Sequence, residues 1–237
     1  MPGRARIPKP TAQRLSLYLR ELEQRHAEGR RTVSSRQLGQ ATGTTDAQVR
    51  KDLGTLAMSG QPGVGYGIAS LIESIRSVIG VVHPWRAALV GAGNIGRALA
   101  AYRRFPEAGF EIAAVFDHAA GVVGTRISGI PVRPMRELKE TVDREGIRIG
   151  IVAVPGEAAQ GVADALVAAG VRGILNFAPR RLEVPAQVST VEVDFRSALE
   201  RLAFEMSERD ASQGGAGAPD AAAPALRRGR RPRGDRA

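Results

Sequence analysis

The run Leu89-Val90-Gly91-Ala92-Gly93-Asn94-Ile95-Gly96 limits the possible folds of this chain more than any other segment. It is a G-x-G-x-x-G pattern that follows an apolar stretch, Ala87 to Val90, and opens a helical one, Asn94 to Phe105. A second apolar stretch, Glu111 to Asp117, ends in a carboxylate 21 residues after Gly96. Strand, glycine turn, helix and acid-tipped strand form the context that dinucleotide binding requires. Gly91 permits the tight turn. Gly93, without a Cβ, lets a pyrophosphate approach the backbone. Gly96 lets the helix pack closely on the sheet. The helix start supplies N–H groups and a positive dipole end. Gly91, Ala92, Gly93, Asn94, Ile95 and Gly96 are therefore the expected phosphate-binding turn. Asp117 is expected to accept from the ribose hydroxyls and to repel a 2′-phosphate, favouring NADH and NAD.

The alternation continues through the second half. Helices are expected over 134–145 and 157–169, and strands over 147–154, 173–176 and 190–193. A last helix is expected from Phe195 to about Glu208. Strands alternating with helices imply a doubly wound, Rossmann-type parallel sheet. On the last helix Phe195, Leu199, Leu202 and Met206 form an apolar stripe, widened by Ala203 and Phe204. A terminal helix that apolar needs a partner surface. After Asp210 the composition collapses to Gly, Ala, Pro and Arg, so residues 211–237 are expected to be disordered.

The first 80 residues have a different texture. Residues 1–10 read as irregular. Leu15, Leu19 and Leu22 then mark one helical face. Ser34 to Gln37 and Thr45 to Gln48 are two capping-box patterns separated by Thr42-Gly43-Thr44. Gly60 to Gly67 is too glycine-rich for a helix and reads as a tight hairpin, and 69–79 is again helical. Helix, short helix, turn, helix and hairpin is the order of a winged helix-turn-helix, here spanning 11–80. With Val49, Leu53 and Leu56 inward, the second helix of the pair presents Thr45, Gln48, Arg50 and Lys51 to a major groove. Arg36 is placed to touch the backbone. Tyr66, closing the hairpin, is taken as a further DNA contact.

Charge supports this division. Residues 1–84 carry 12 Lys/Arg against 6 Asp/Glu, 85–210 carry 16 against 16, and 211–237 carry 6 against 2. A neutral middle between basic ends fits a nucleotide-binding domain attached to a part that meets a polyanion. Cysteine is absent and the three histidines are scattered, so no metal site is expected. No apolar run reaches a membrane span and the first residues lack a signal-peptide core, so a cytoplasmic protein is expected. Between 119 and 210 there is no His, Cys or Tyr, and Lys139 is the one lysine. The chain is therefore not read as an enzyme. The alternative is an NAD-dependent oxidoreductase with a basic appendage.

Several stretches together resemble the Rex family of redox-sensing transcriptional repressors. They are Ile7 to Thr11, Ser34 to Leu38, Gln48 to Leu53, Gly63 to Tyr66, the glycine turn, Gly173 to Pro179 and Val193 to Phe195. The resemblance covers 7–207. It implies a homodimer with an exchanged C-terminal helix (194–210), a Rossmann domain (85–193) that prefers NADH, and release of operator DNA when NADH rises. It also implies that Phe195 of one subunit approaches the partner's nicotinamide, with Tyr102 and Asp194 near the dimer interface as switch residues. Tyr102, on the helix expected after the glycine turn, is also expected to face the cofactor. Pro62 stands where the family's wing usually carries Arg.

Overall fold

A computed structural model describes residues 7–213. Of the tail expected over 211–237, residues 211–213 instead continue the last helix, and the rest lies outside the described residues.

The N-terminal half contains α1 (Lys9–Ala27), β1 (Thr32–Val33), α2 (Ser35–Thr42), α3 (Asp46–Gly54), β2 (Tyr66–Gly67) and α4 (Ile68–Ile79). Its core gathers Leu15, Tyr18, Leu19 and Leu22 of α1 with Leu38, Val49, Leu53, Ile68, Leu71 and Ile75. Helix α1 starts at Lys9, two residues before the expected start, because Pro10 in the first turn has no N–H to leave unsatisfied. The Ser34–Gln37 capping box is fully formed. At α3 only half of the expected box exists. Thr45 accepts from the Gln48 backbone N–H at 3.1 Å, but the Gln48 side chain is used elsewhere. The hairpin closes through Gln61 and Gly65, which exchange backbone bonds of 2.8 Å, and β1 pairs antiparallel with β2.

The second half runs β3 (Trp85–Val90), α5 (Asn94–Ala100), α6 (Arg104–Glu107), β4 (Phe110–Asp117), β5 (Arg126–Ile127), β6 (Ile130–Pro134), α7 (Leu138–Glu145), β7 (Ile149–Val152), α8 (Gly156–Ala168), β8 (Gly173–Asn176) and β9 (Ser189–Glu192). The strand order is β5-β6-β4-β3-β7-β8-β9, parallel except for β5. From β6 to β9 this is the doubly wound order, with its switch point between β3 and β7. Two differences from expectation stand out. The helix after the glycine turn breaks at Ala100 rather than reaching Phe105, and α6 is a separate turn. The hairpin β5–β6 lies where no strand was expected, its two-residue β5 being too short to give a period-2 pattern.

One sheet face packs Ala88, Val90, Phe116 and Val152 under Leu138, Val142, Ala163 and Leu166 of α7 and α8. The other face, with Ala87, Leu89 and Ile151, carries the short α5 and the single turn α6, whose Phe105 lies beside Ala87 and Ile112. The connection from β8 to β9 contains no helix, so Leu175 is half-buried and Val191 is exposed on that face.

Helix α9 (Phe195–Gln213) belongs to a separate unit that begins at Asp194. It runs past the expected end near 208. Phe195, Leu199, Leu202, Phe204 and Met206 are all exposed. Among the described residues no helix is long and apolar enough to cross a membrane, and no group of three or more acidic or histidine side chains is placed to hold a metal ion.

Candidate functional site

The glycine turn sits at the switch point. Gly91 has φ +104°, and a Cβ there would lie 2.3 Å from the Ala153 carbonyl oxygen beyond β7. Its N–H donates to Phe116 at 2.9 Å, so the residue is wedged between the ends of β4 and β7. A Cβ on Gly96 would lie 1.9 Å from the Gly91 oxygen. The tight contact is thus between α5 and its own turn, whereas packing on the sheet was expected. Gly93 differs from both: a Cβ there meets nothing within 4 Å. The turn is closed beneath by Gly91 and Gly96 and open above Gly93. That is the form a bound pyrophosphate needs. Ala92 is buried, while Asn94 and Ile95 at the start of α5 are exposed.

Asp117 faces this turn. Its Oδ2 accepts from the Ala92 N–H at 2.8 Å, and its Oδ1 accepts from His118 and Ala119 at 2.7 and 2.9 Å. Burial pushes the carboxyl up, but the three backbone donors outweigh it and hold Asp117 below the usual carboxylate range. The side chain stays ionised and fixes the turn geometry. Arg97, which the sequence reading passed over, sends its Nε back to the Ala92 carbonyl at 3.1 Å. A residue four positions after Gly93 on a helix points its side chain toward the N-terminal turn, the signal that could have found it.

Tyr102 is not brought to the turn. It lies beyond the last residue of α5, a helix about 10 Å long at 1.5 Å per residue. There it stacks edge-on against Phe105, with centroids 4.9 Å apart, beside a cleft of about 490 Å³ that Glu111 and Ser128 also line. Asp194 and Phe195 belong to the C-terminal unit. Asp194 caps α9, and its pKa is lowered first by the Ser197 hydroxyl and then by the backbone N–H groups of Ser197 and Arg196, all of which donate to it.

On the N-terminal half, Arg36, Thr45, Arg50 and Lys51 are exposed, as expected. Arg50 is engaged: its Nη1 reaches Asp46 at 2.7 Å and the Ser35 hydroxyl at 3.3 Å. Two expected contacts are placed differently. Tyr66 pairs with Val33 in the two-stranded ladder, and both point into the core, leaving Tyr66 8% exposed. Strand alternation sends Thr32 and Gly67 outward instead. The Gln48 side chain is half-buried and donates Nε2 to Asp52 Oδ1 at 2.9 Å.

Asp52 is the buried polar centre of this half. It takes Arg14 Nε at 2.6 Å, Arg14 Nη2 at 2.7 Å, the Tyr18 hydroxyl at 3.0 Å and the Thr11 hydroxyl at 3.5 Å. Burial, then the hydrogen bond to Asp52, pushes Tyr18 up to about 12. Partners 34 to 41 positions away in sequence give no local signal, so Arg14, Tyr18 and Asp52 were not singled out. Asn176, fully buried at the end of β8, was likewise missed; it pins the following loop through Ala178 N–H and the Arg180 carbonyl.

Comparison with known proteins adds the following. Residues 6–54 match the family model described as "Putative DNA-binding protein N-terminus", and residues 82–180 match the "CoA binding domain" model. The chain is 45% identical over 201 residues to a protein of Carboxydothermus hydrogenoformans named redox-sensing transcriptional repressor Rex, covering 85% of this chain and 97% of that one. It is 43% identical over 219 residues to the Streptomyces coelicolor protein of that name, covering 91% and 85%. Among solved structures it is similar to RSP in complex with β-NAD+ and operator DNA, at 30% identity and TM-score 0.80, covering 89% of this chain and 97% of that chain. RSP in complex with β-NADH matches with TM-score 0.78, at 30% identity over 88% and 98%.

Proposed function

The chain belongs to the Rex family of redox-sensing transcriptional repressors, and from that premise we propose how its parts divide the work. Residues 9–80 bind operator DNA, 85–193 bind NADH or NAD, and the helix from 194 joins two copies into a homodimer. The relatives are named as repressors rather than enzymes, and the oxidoreductase reading is not favoured. A DNA-binding regulator of this kind works in the cytoplasm.

One observation carries the nucleotide assignment. The turn is sterically closed at Gly91 and Gly96, open at Gly93, and braced by an ionised Asp117. Gly93, Asn94 and Ile95 would hold the pyrophosphate and Asp117 the ribose. For DNA, Lys51, Arg50, Arg36 and Thr45 are the proposed contacts. Gln48 contributes what its bond to Asp52 leaves free, and Tyr66 acts as a core residue beneath the wing.

The dimer proposal rests on two exposed apolar surfaces. Helix α9 exposes Phe195, Leu199, Leu202, Phe204 and Met206. The sheet face at Leu175 and Val191 has no helix from the β8–β9 connection. Exchange of α9 between copies would cover both, and would bring Asp194 and Phe195 of one copy toward Tyr102 and the glycine turn of the other. NADH then acts by differential affinity. It must favour an arrangement of the two protomers in which the recognition helices no longer meet half-sites about 34–36 Å apart. By reciprocity, operator DNA must weaken NADH.

A titration of operator binding against the NADH/NAD ratio, with no other substrate, tests this. DNA release by NADH, and weaker NADH binding on operator, are expected. DNA binding insensitive to the ratio would overturn the reading.

A further inference from the structure

The wing tip of this protein has no charge. Gln61, Pro62, Gly63, Val64 and Gly65 form it, with Val64 55% exposed. A wing that meets a polyanion needs cations near it, and the fold brings two from another part of the chain. Arg30 and Arg31 lead into β1. The Arg31 carbonyl accepts from the Ile68 N–H at 2.9 Å, and Thr32 pairs with Gly67 on the strand that leaves the wing. Both arginines are exposed, and neither has a salt bridge or side-chain hydrogen bond among the described residues. The neighbouring Arg25, by contrast, is tied to Glu21 at 2.6 Å.

Arg30 and Arg31 line one polar cleft of about 900 Å³ together with Gly63, Val64, Ser34 and Gln37. Of the cleft's two carboxylates, Glu21 is paired with Arg25, while Glu28 accepts from the neutral amide of Gln24 and keeps its charge. Against that one anion stand Arg30 and Arg31, so the lining is net positive. The cleft also adjoins the recognition helix. Ser34 and Gln37 belong to the cap and first turn of α2, and the next residue, Ser35, accepts from Arg50 of α3.

We propose that Arg30 and Arg31 are DNA-backbone contacts that act with the uncharged wing, neutralising phosphates that flank the groove entered by α3. This deepens the assignment of residues 9–80 as the DNA reader and rests on it. Two guanidiniums with no ion pair among the described residues give up none on binding, and together they outweigh the one unpaired carboxylate beside them, Glu28. The contact is sequence-independent: it sets affinity and register, and base reading stays with α3.

The test uses the full chain and its Arg30→Gln/Arg31→Gln variant on an operator duplex and on the same duplex trimmed to the base pairs under α3. On the long duplex the variant should lower the slope of log K against log salt by about 1.8, from about 0.9 per phosphate. NADH binding and the melting temperature should not change. Trimming should remove the difference, and Arg30→Lys/Arg31→Lys should restore the parent slope. An unchanged slope overturns the proposal, and so does an equal loss on the trimmed duplex. If the parent chain binds no duplex, the DNA-reader assignment falls as well, a result distinct from a variant-specific null.

Discussion

Arg14 grips both oxygens of the buried Asp52 carboxylate, through Nε at 2.6 Å and Nη2 at 2.7 Å. That grip fastens α1 to α3, and through Gln48 it fixes one side chain of the proposed DNA-reading face. Asp52 is 1% exposed, so its charge depends on these partners.

Replacing Asp52 with Ala leaves the Arg14 guanidinium without its anion and Tyr18 without its acceptor. The expected loss is about 3 kcal/mol, the low end for breaking a buried pair, because Arg14 keeps about a quarter of its side chain in water. Urea unfolding of the parent and the variant measures it. A loss below about 1 kcal/mol would mean that α1 and α3 are held by apolar packing alone.

The same pair sets a pH dependence. Burial pushes Asp52 up, but the hydrogen bonds from Arg14, Gln48 and Tyr18 outweigh it, and its pKa lies below the ordinary value. A carboxyl whose folded pKa is depressed contributes stability that is complete above its unfolded pKa, about 3.9, and is lost as pH falls through the folded one. The stability gap between parent and Asp52→Asn should stay constant from pH 7 to about 5 and narrow below about pH 4. Unfolding curves at a series of pH values check this, and a gap that widens in acid contradicts it.

The three glycines of the turn should separate folding from ligand binding. Gly91→Ala forces a side chain to φ +104° and into the Ala153 carbonyl, and Gly96→Ala meets the Gly91 oxygen. Each should cost more than about 2 kcal/mol. Gly93→Val has open space, so it should melt near the parent temperature and bind DNA, yet fail to be released by NADH. Normal release of that variant by NADH would remove the turn from the sensor.

Asp117→Ala removes an anion that the turn's own N–H groups and the ribose hydroxyls would share. NADH affinity should fall roughly 10- to 100-fold, as for a lost charged hydrogen bond of about 1.5–3 kcal/mol. Rejection of NADPH should relax, because the repelling charge is gone. Calorimetry with both nucleotides measures this; unchanged preference between them would show that Asp117 only braces the turn.

Leu199→Asp with Leu202→Asp places two charges on the exposed stripe of α9. If that helix joins two copies, sedimentation should show the dimer giving way to monomer and operator affinity should drop, while the glycine turn still binds NADH. A dimer that survives both charges puts the interface elsewhere.

What the sequence determined by itself is whatever depends on neighbours a few residues apart. The 3.6-residue spacing of Leu15, Leu19 and Leu22, the Ser34–Gln37 cap, and the strand–glycine–helix order at 87–96 are of this kind, and each formed. Tertiary structure decided which groups those elements present. Gln48 carried the pattern of a capping box and of an outward reader, yet one turn along α3 lies a carboxylate buried by contacts 38 residues distant, and the Gln48 amide donates to that ionised acceptor, a stronger bond than a second cap would make with a neutral backbone N–H. Tyr66 went to the core because its ladder partner is Val33, and a strand of two residues holds too few positions to reveal its inward face. That no helix lies between 176 and 190 was legible in the sequence; that this leaves the face at Leu175 and Val191 open was decided only once the strands were laid side by side, since burial is a property of the assembled sheet and not of any segment in it.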